Sequence, residues 1–240
     1  MDIDLVLETR DGRVPLRFTV ERMVNAGYTG RNQGEVRKHI EELAKKGIPG
    51  PPTTPTLYPV IRRALVLDPV IEVYGRETCG EIEYVLLVER DDRIFVGVGS
   101  DHTDRKLEAW DIPRAKQICP NVIGATVWPL DEVSDHWDEL ILRCRQVVAG
   151  TEILYQEGPL SQLMAPKELL AFVRAKAGSR LNGTVIFSGT LASLTGGFLY
   201  GSALSAELVD RRLDRRLHLA YEIRPLAGEE ESVKKSGVDP

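Results

Sequence analysis

A chain of 240 residues with 42% hydrophobic content is long enough to bury one large core, or a core with a small extension. Its net charge of −5 and its lack of a long basic run argue against nucleic acid as a partner, and its apolar runs are too short for a membrane span. The start, Met1-Asp2-Ile3-Asp4-Leu5, has no basic-then-apolar signal pattern, and three scattered cysteines (Cys79, Cys119, Cys144) fit small core residues in a reducing cytoplasm rather than a disulfide framework.

Residues 3–8 and Val14–Val20, around a turn at Arg10–Arg13, read as a hairpin, an N-terminal extension over residues 1–24. Met23–Tyr28 reads as a short strand running into Gly27-Tyr28-Thr29-Gly30-Arg31-Asn32, where two glycines suit a tight loop near a ligand or an ordinary turn. Val36, Ile40, Leu43 and Ala44 form one stripe of a helix over residues 34–46, closed by Gly47 and Pro49. His39 borders that stripe, with Glu42 three residues on and Glu35 four residues back. A carboxylate beside an imidazole fixes its tautomer and raises its basicity, as a general base requires; the same spacing is that of a surface ion pair. Residues 47–59 are a stiff Pro/Thr-rich connection. Residues 65–74 read as a strand bent near Asp68-Pro69, and 75–80 as a loop.

The next stretch, Glu81 to Arg105, carries the chemistry. On a strand, Glu81, Glu83, Val85 and Leu87 share one face, so two carboxylates sit about 6–7 Å apart at the head of an apolar row. The opposite face, Ile82, Tyr84 and Leu86, is also apolar, so the strand reads as covered on both sides. The following apolar run ends in Ser100-Asp101-His102-Thr103-Asp104-Arg105 and supplies a third carboxylate. Three carboxylates without a Cys/His cluster suit a hard cation, Mg²⁺, Mn²⁺ or Ca²⁺. Glu-x-Glu alone also fits the solvated face of an antiparallel sheet.

A short helical piece is expected over 106–110. Lys116 then lies among apolar neighbours, where an ammonium near three carboxylates anchors a substrate carboxylate or offsets charge. Val122–Trp128 reads as a strand, 131–137 as an acidic helical turn, and 140–148 with 151–156 as a hairpin. Pro166 opens a helix to about residue 176. Residues 181–191 form a buried strand ending at Gly189-Thr190, whose backbone and hydroxyl suit a carboxylate cradle or a plain strand-end turn. Residues 202–209 and 216–223 make a last hairpin, followed by a polar tail from Ala227.

In this order the segments resemble the fumarylacetoacetate hydrolase superfamily over residues 25–225. The motifs are Gly30-Arg31-Asn32 followed by His39-Ile40-Glu41-Glu42, Glu81-x-Glu83, Asp101-x-Thr103-x-Arg105, Lys116 with Cys119-Pro120, Ser161-Gln162-Leu163, Asn182–Ile186, and Gly189-Thr190-Leu191. Departures are Gln33 after Asn32 where the family has tyrosine, a displaced His39, Leu191 where the family has proline, and Glu108 where a glutamine is common. The resemblance is to a divergent bacterial subfamily.

It implies an α+β fold, mostly β, a mixed β-roll or sandwich with a few peripheral helices in one domain over residues 1–226, working as a homodimer. It implies metal ligands Glu81, Glu83 and Asp101 for Mg²⁺ (or Mn²⁺/Ca²⁺); catalytic residues His39, Glu42 and Lys116; and substrate contacts Arg31, Arg105, Gly189 and Thr190. The implied activity is hydrolase or lyase chemistry on a small 2-oxo or β-diketo acid, C–C cleavage through a metal-stabilised enolate. Decarboxylation or isomerisation on the same metal site is the alternative, as is a non-catalytic protein that binds its ligand through the metal.

Overall fold

The acidic strand is the middle of the molecule. The computed structural model describes residues 1–45, 50–51 and 53–226. Its elements begin with the hairpin β1 (Asp2–Thr9) and β2 (Gly12–Thr19), then β3 (Arg22–Gly27), α1 (Gln33–Lys45), β4 (Thr56–Val60), β5 (Leu65–Val66) and β6 (Val70–Tyr74). The long pair β7 (Thr78–Arg90) and β8 (Arg93–Asp104) follows, with α2 (Arg105–Glu108), α3 (Ile112–Ile118), β9 (Asn121–Ile123) and β10 (Thr126–Pro129). The chain closes with β11 (Ile141–Val148), β12 (Thr151–Pro159), α4 (Pro166–Ala177), β13 (Thr184–Phe187), β14 (Ala203–Asp210) and β15 (Arg215–Leu226). No helix among the described residues is long and apolar enough to cross a membrane.

Ten strands form one mixed sheet in the order β2-β1-β10-β8-β7-β13-β3-β4, with β9 joining β8 and β5 joining β9; five more form a second sheet, β12-β11-β14-β15-β6. The predominance of strands agrees with the α+β, mostly β expectation. β7 is apolar on both faces because both are covered. Ile82, Tyr84, Leu86 and Val88 pack between the sheets against Leu142, Leu204, Leu217 and Tyr221. Val85 and Leu87 face a second core, with Phe95, Ile123, Val185 and Phe187, where the large sheet wraps around itself. Glu81 and Glu83 continue that second row, so their carboxylates stand at one end of the roll interior rather than on a wet face.

Three expected elements differ. Residues 65–74 are two strands in two sheets: β5 pairs β9, and β6 pairs β15. The break falls at Asp68-Pro69, where Pro69 supplies no ladder N–H. Residues 122–128 are likewise two strands parted at Gly124, whose Cα lies so near the His218 carbonyl that a Cβ would stand 2.5 Å from its oxygen. β7 starts at Thr78, inside the expected loop, and residues 112–118 form a helix capped by Asp111 accepting from the Arg114 N–H. The tail expected from Ala227 and part of the Pro/Thr connection lie outside the described residues.

A polar link joins the 134–139 turn to the β14–β15 hairpin. His136 Nδ1 is 2.6 Å from Asp135 and its Nε2 is 3.0 Å from Asp210. Asp210 also accepts from the Arg212 and Leu213 N–H groups, and Arg215 lies 3.4 Å away. A neutral imidazole donates from one nitrogen only, so two carboxylate partners call for imidazolium. Burial opposes that charge, but the two carboxylates outweigh it and raise the His136 pKa above its ordinary value. Its stabilising contribution is therefore complete below about pH 6.5 and is lost as pH rises through the higher folded-state pKa. His136→Gln is expected to flatten the fall of melting temperature with rising pH above about pH 6.5; superimposable profiles would show that the imidazolium contributes nothing.

Candidate metal centre

Register assembles the acids. In the antiparallel β7–β8 pair, Glu81 faces Asp101 and Glu83 faces Gly99. Each of Glu81, Glu83 and Asp101 offers an oxygen within 4.8 Å of the other two, and they are the only such group of three among the described residues. Asp101 is fully buried, Glu83 is 2% exposed, and the Glu81 side chain keeps 21% of its surface.

Each carboxylate has its own anchor. Glu83 Oε2 accepts from the Gly189 N–H at 2.8 Å. Gly189 has φ +87°, and a Cβ there would collide with Thr29 Oγ1 and with the Ala26 carbonyl, so the turn that aims this N–H is open only to glycine. Asp101 Oδ2 forms an ion pair with Lys116 Nζ, while its Oδ1 accepts from Thr103 Oγ1 at 3.3 Å and Asn121 Nδ2 at 3.4 Å. Glu81 lies 3.4 Å from Arg105 Nη2. Arg105 is buried. Its Nη1 meets Glu108 at 2.6 Å, its Nε donates to Cys79 Sγ, its Nη2 donates to the Cys79 carbonyl, and the Phe198 ring lies over it at 4.4 Å.

Electrostatics follow from burial. Glu83 is held well above the usual carboxylate range, by burial first and then by Asp101 and Glu81, against the opposing pull of Lys116 and the Gly189 N–H. Glu81 is raised as well, by burial first and then by Glu108 and Asp101 against the pull of Arg105 and Lys116. Burial pulls the Lys116 ammonium down, but Asp101, Glu81, Glu108 and Glu83 together hold it above its ordinary value, so it keeps its proton.

The donor set fits a hard divalent cation. Four carboxylates (Glu81, Glu83, Asp101, Glu108) meet two side-chain cations (Lys116, Arg105); minus four plus two leaves two negative charges when all are ionised. All candidate ligands are oxygens, as Mg²⁺, Mn²⁺ or Ca²⁺ prefers. Asn121 Oδ1, beside Asp101, is a further buried oxygen with no hydrogen-bond partner.

The remaining expected residues fall in different places. Thr190 stands beside Gly189, but its hydroxyl donates to the Ile82 carbonyl and accepts from Gln156 Nε2, and Arg105 is similarly engaged by protein groups. Both brace the centre. Arg31 is not brought to it: a bidentate pair with Asp138 at 2.7 and 2.8 Å and a bond to the Leu163 carbonyl hold its guanidinium. His39 and Glu42 fall on α1, and their side chains lie outside the described residues. Sequence reasoning missed three groups. Asn121 follows Cys119-Pro120 directly. Tyr58 has its ring 5.7 Å from Lys116 Nζ. Tyr28 takes an unusual φ of +58°, and its phenol is pushed up to about 12 by burial and then by Tyr58, Glu108 and Glu81. Only the strained φ sits at a spot the sequence marks, next to Gly27 and Gly30.

Residues 26–221 match the family model described as Protein of unknown function (DUF2848). The chain belongs to the DUF2848 family. No curated protein matches it in sequence. Among solved structures, it is similar to Cg1458, with 18% identity, TM-score 0.60, and coverage of 87% of this chain and 78% of that one. It is similar to 2-keto-3-deoxy-D-arabinonate dehydratase complexed with magnesium and 2,5-dioxopentanoate, with 14% identity, TM-score 0.61, and coverage of 87% and 74%. It is also similar to 4-oxalocrotonate decarboxylase from Pseudomonas putida G7 complexed with calcium and acetate, with 15% identity, TM-score 0.51, and coverage of 83% and 76%. These neighbours are members of the fumarylacetoacetate hydrolase superfamily, and the DUF2848 chain shares their fold.

Proposed function

We propose that this DUF2848 chain is a divalent-cation-dependent enzyme acting on a small 2-oxo acid. The observation that carries the reading is the convergence of Glu81, Glu83 and Asp101, whose oxygens lie within 4.8 Å of one another beside Lys116. It is supported by similar structures whose names give a dehydratase and a decarboxylase of oxo acids, one with magnesium and one with calcium. Glu81, Glu83 and Asp101 would hold Mg²⁺, or Mn²⁺ or Ca²⁺ in its place. When bound, the cation supplies Lewis-acid polarisation of the substrate's oxygens.

The chain's own groups do the rest. Lys116 keeps its proton, so it serves as a cation that holds negative charge on the substrate, not as a base. Arg105 joins Glu81 to Glu108 and fixes the direction of the Glu81 carboxylate. The Gly189 N–H does the same for Glu83. His39, oriented by Glu42, is the proposed group that moves a proton or activates water. The finer reading is C–C cleavage of a β-diketo acid, by hydrolysis or as a lyase, in a homodimer. Decarboxylation uses the same centre without the positioned water.

The test is thermal stability in EDTA, Mg²⁺, Mn²⁺ and Ca²⁺, repeated with oxalate, which presents the chelating face of a pyruvate enolate. A ligand at a hundred times its Kd stabilises the folded state by about 2.7 kcal/mol. A metal-dependent rise that grows with oxalate is expected, after which acylpyruvates and oxaloacetate are the compounds to assay. No rise with any cation would reduce the three acids to a structural cluster.

A further inference from the structure

The segment after Gly189-Thr190 runs without regular structure to β14, and both of its ends are tied to the metal centre. At one end Gly189 is fixed to Glu83, and Thr190 Oγ1 donates to the Ile82 carbonyl. Eight residues later the Phe198 ring lies 4.4 Å from the Arg105 guanidinium, which is itself 3.4 Å from Glu81. The segment is thus a strap from one end of the Glu81–Glu83 pair to the other. Two of its hydroxyls, on Ser193 and Thr195, bond at the surface to each other and to the Gly197 carbonyl. Beside them it shows large side chains to solvent, with Leu194 at 56% exposure, Phe198 at 50% and Tyr200 at 43%. Phe198 is thus half exposed, with one face on a buried guanidinium that itself pairs with Glu81.

Resting on the 2-oxo-acid reading above, we propose that this strap, with Phe198 at its Arg105 end, is the specificity wall for the distal part of the substrate, and that the substrate carries an apolar or aromatic group beyond its 2-oxo acid end. The occupant is the substrate tail because Phe198 lies one residue, Arg105, from a candidate metal ligand.

The test compares oxamate with N-phenyloxamate in the Mg²⁺-loaded full chain by titration calorimetry. The two share a chelating end and differ only in the ring. The readout is the ratio of the two affinities, which removes effects common to both. N-phenyloxamate is expected to bind about tenfold more tightly to the parent, which is the effect of part-burying one ring. The ratio should collapse to about one in Phe198→Ala and persist in part in Phe198→Leu, which keeps apolar bulk if the alanine variant folds poorly. If oxamate binds but the parent ratio is near one, or Phe198→Ala leaves it unchanged, the wall is overturned and the metal reading stands. If neither compound binds with Mg²⁺, both fall. If sedimentation shows Phe198→Ala splitting a dimer, the strap is a subunit interface and the proposal is wrong.

Discussion

Glu83→Gln is expected to abolish the metal-dependent rise in melting temperature while leaving the metal-free protein at least as stable as its parent. Glutamine keeps the shape of the side chain and an oxygen that still accepts from the Gly189 N–H. What it removes is one of three carboxylates whose oxygens lie within 4.8 Å of one another in a buried place. Burial, Asp101 and Glu81 hold Glu83 well above its ordinary pKa of 4.5. A carboxyl whose pKa is raised on folding costs stability above its unfolded-state value, because ionisation is then harder in the folded chain. A neutral amide relieves that cost in metal-free protein. In the presence of cation the balance reverses, since the cation attracts the ionised carboxylates and offsets their mutual repulsion. Loss of an outer-shell partner alone weakens metal sites by about 10–100-fold, so loss of a ligand should exceed about a hundredfold. Melting curves in EDTA and Mg²⁺, with calorimetric titration of Mg²⁺, separate the two effects. An unchanged Mg²⁺ response would remove Glu83 from the centre. A variant destabilised in EDTA would show that Glu83 has a structural role.

The parts of this site that were legible in the sequence are those set by local alternation. Glu81 and Glu83 share a face because a strand has period two, and the apolar residues at Ile82, Tyr84 and Leu86 mark the strand as covered on both sides. Asp101 was legible as a third acid, but its position opposite Glu81 is a matter of register between β7 and β8, which local pattern does not specify. The breaks at Asp68-Pro69 and Gly124 show the same limit. Both halves of residues 65–74 are apolar enough to be strand, and only pairing with β9 and β15 sends them to different sheets. Arg105 and Thr190 were legible as residues near the centre but not in their bonding. An arginine among acids looks available to a substrate until Cys79, Glu81 and Glu108 are found around it. The Phe198 stack was invisible because it joins residues 93 positions apart with no periodicity between them.

Lys116→Met should act on stability and on metal affinity in opposite directions. Lys116 and Asp101 form a buried ion pair, with side chains 8% and 0% exposed. Removing one member leaves Asp101 charged, buried and supported, among the described side chains, by Thr103 and Asn121 at 3.3 and 3.4 Å. Breaking a buried pair in this way costs about 3–5 kcal/mol. For a chain of this length that lowers the melting temperature by roughly 6–20 °C. The lost positive charge takes the centre from two excess negative charges to three, so Mg²⁺ should bind more tightly and recover part of the lost stability. Any turnover should still disappear, because the ammonium that holds substrate charge is gone. The double variant Lys116→Met with Asp101→Asn then discriminates between roles. It removes both buried charges, so it should regain most of the metal-free stability, while its Mg²⁺ response should vanish with the third carboxylate. If Lys116→Met instead weakened Mg²⁺ binding along with stability, the lysine would be a scaffold for the ligands, and its proposed part in holding substrate charge would have to be given up.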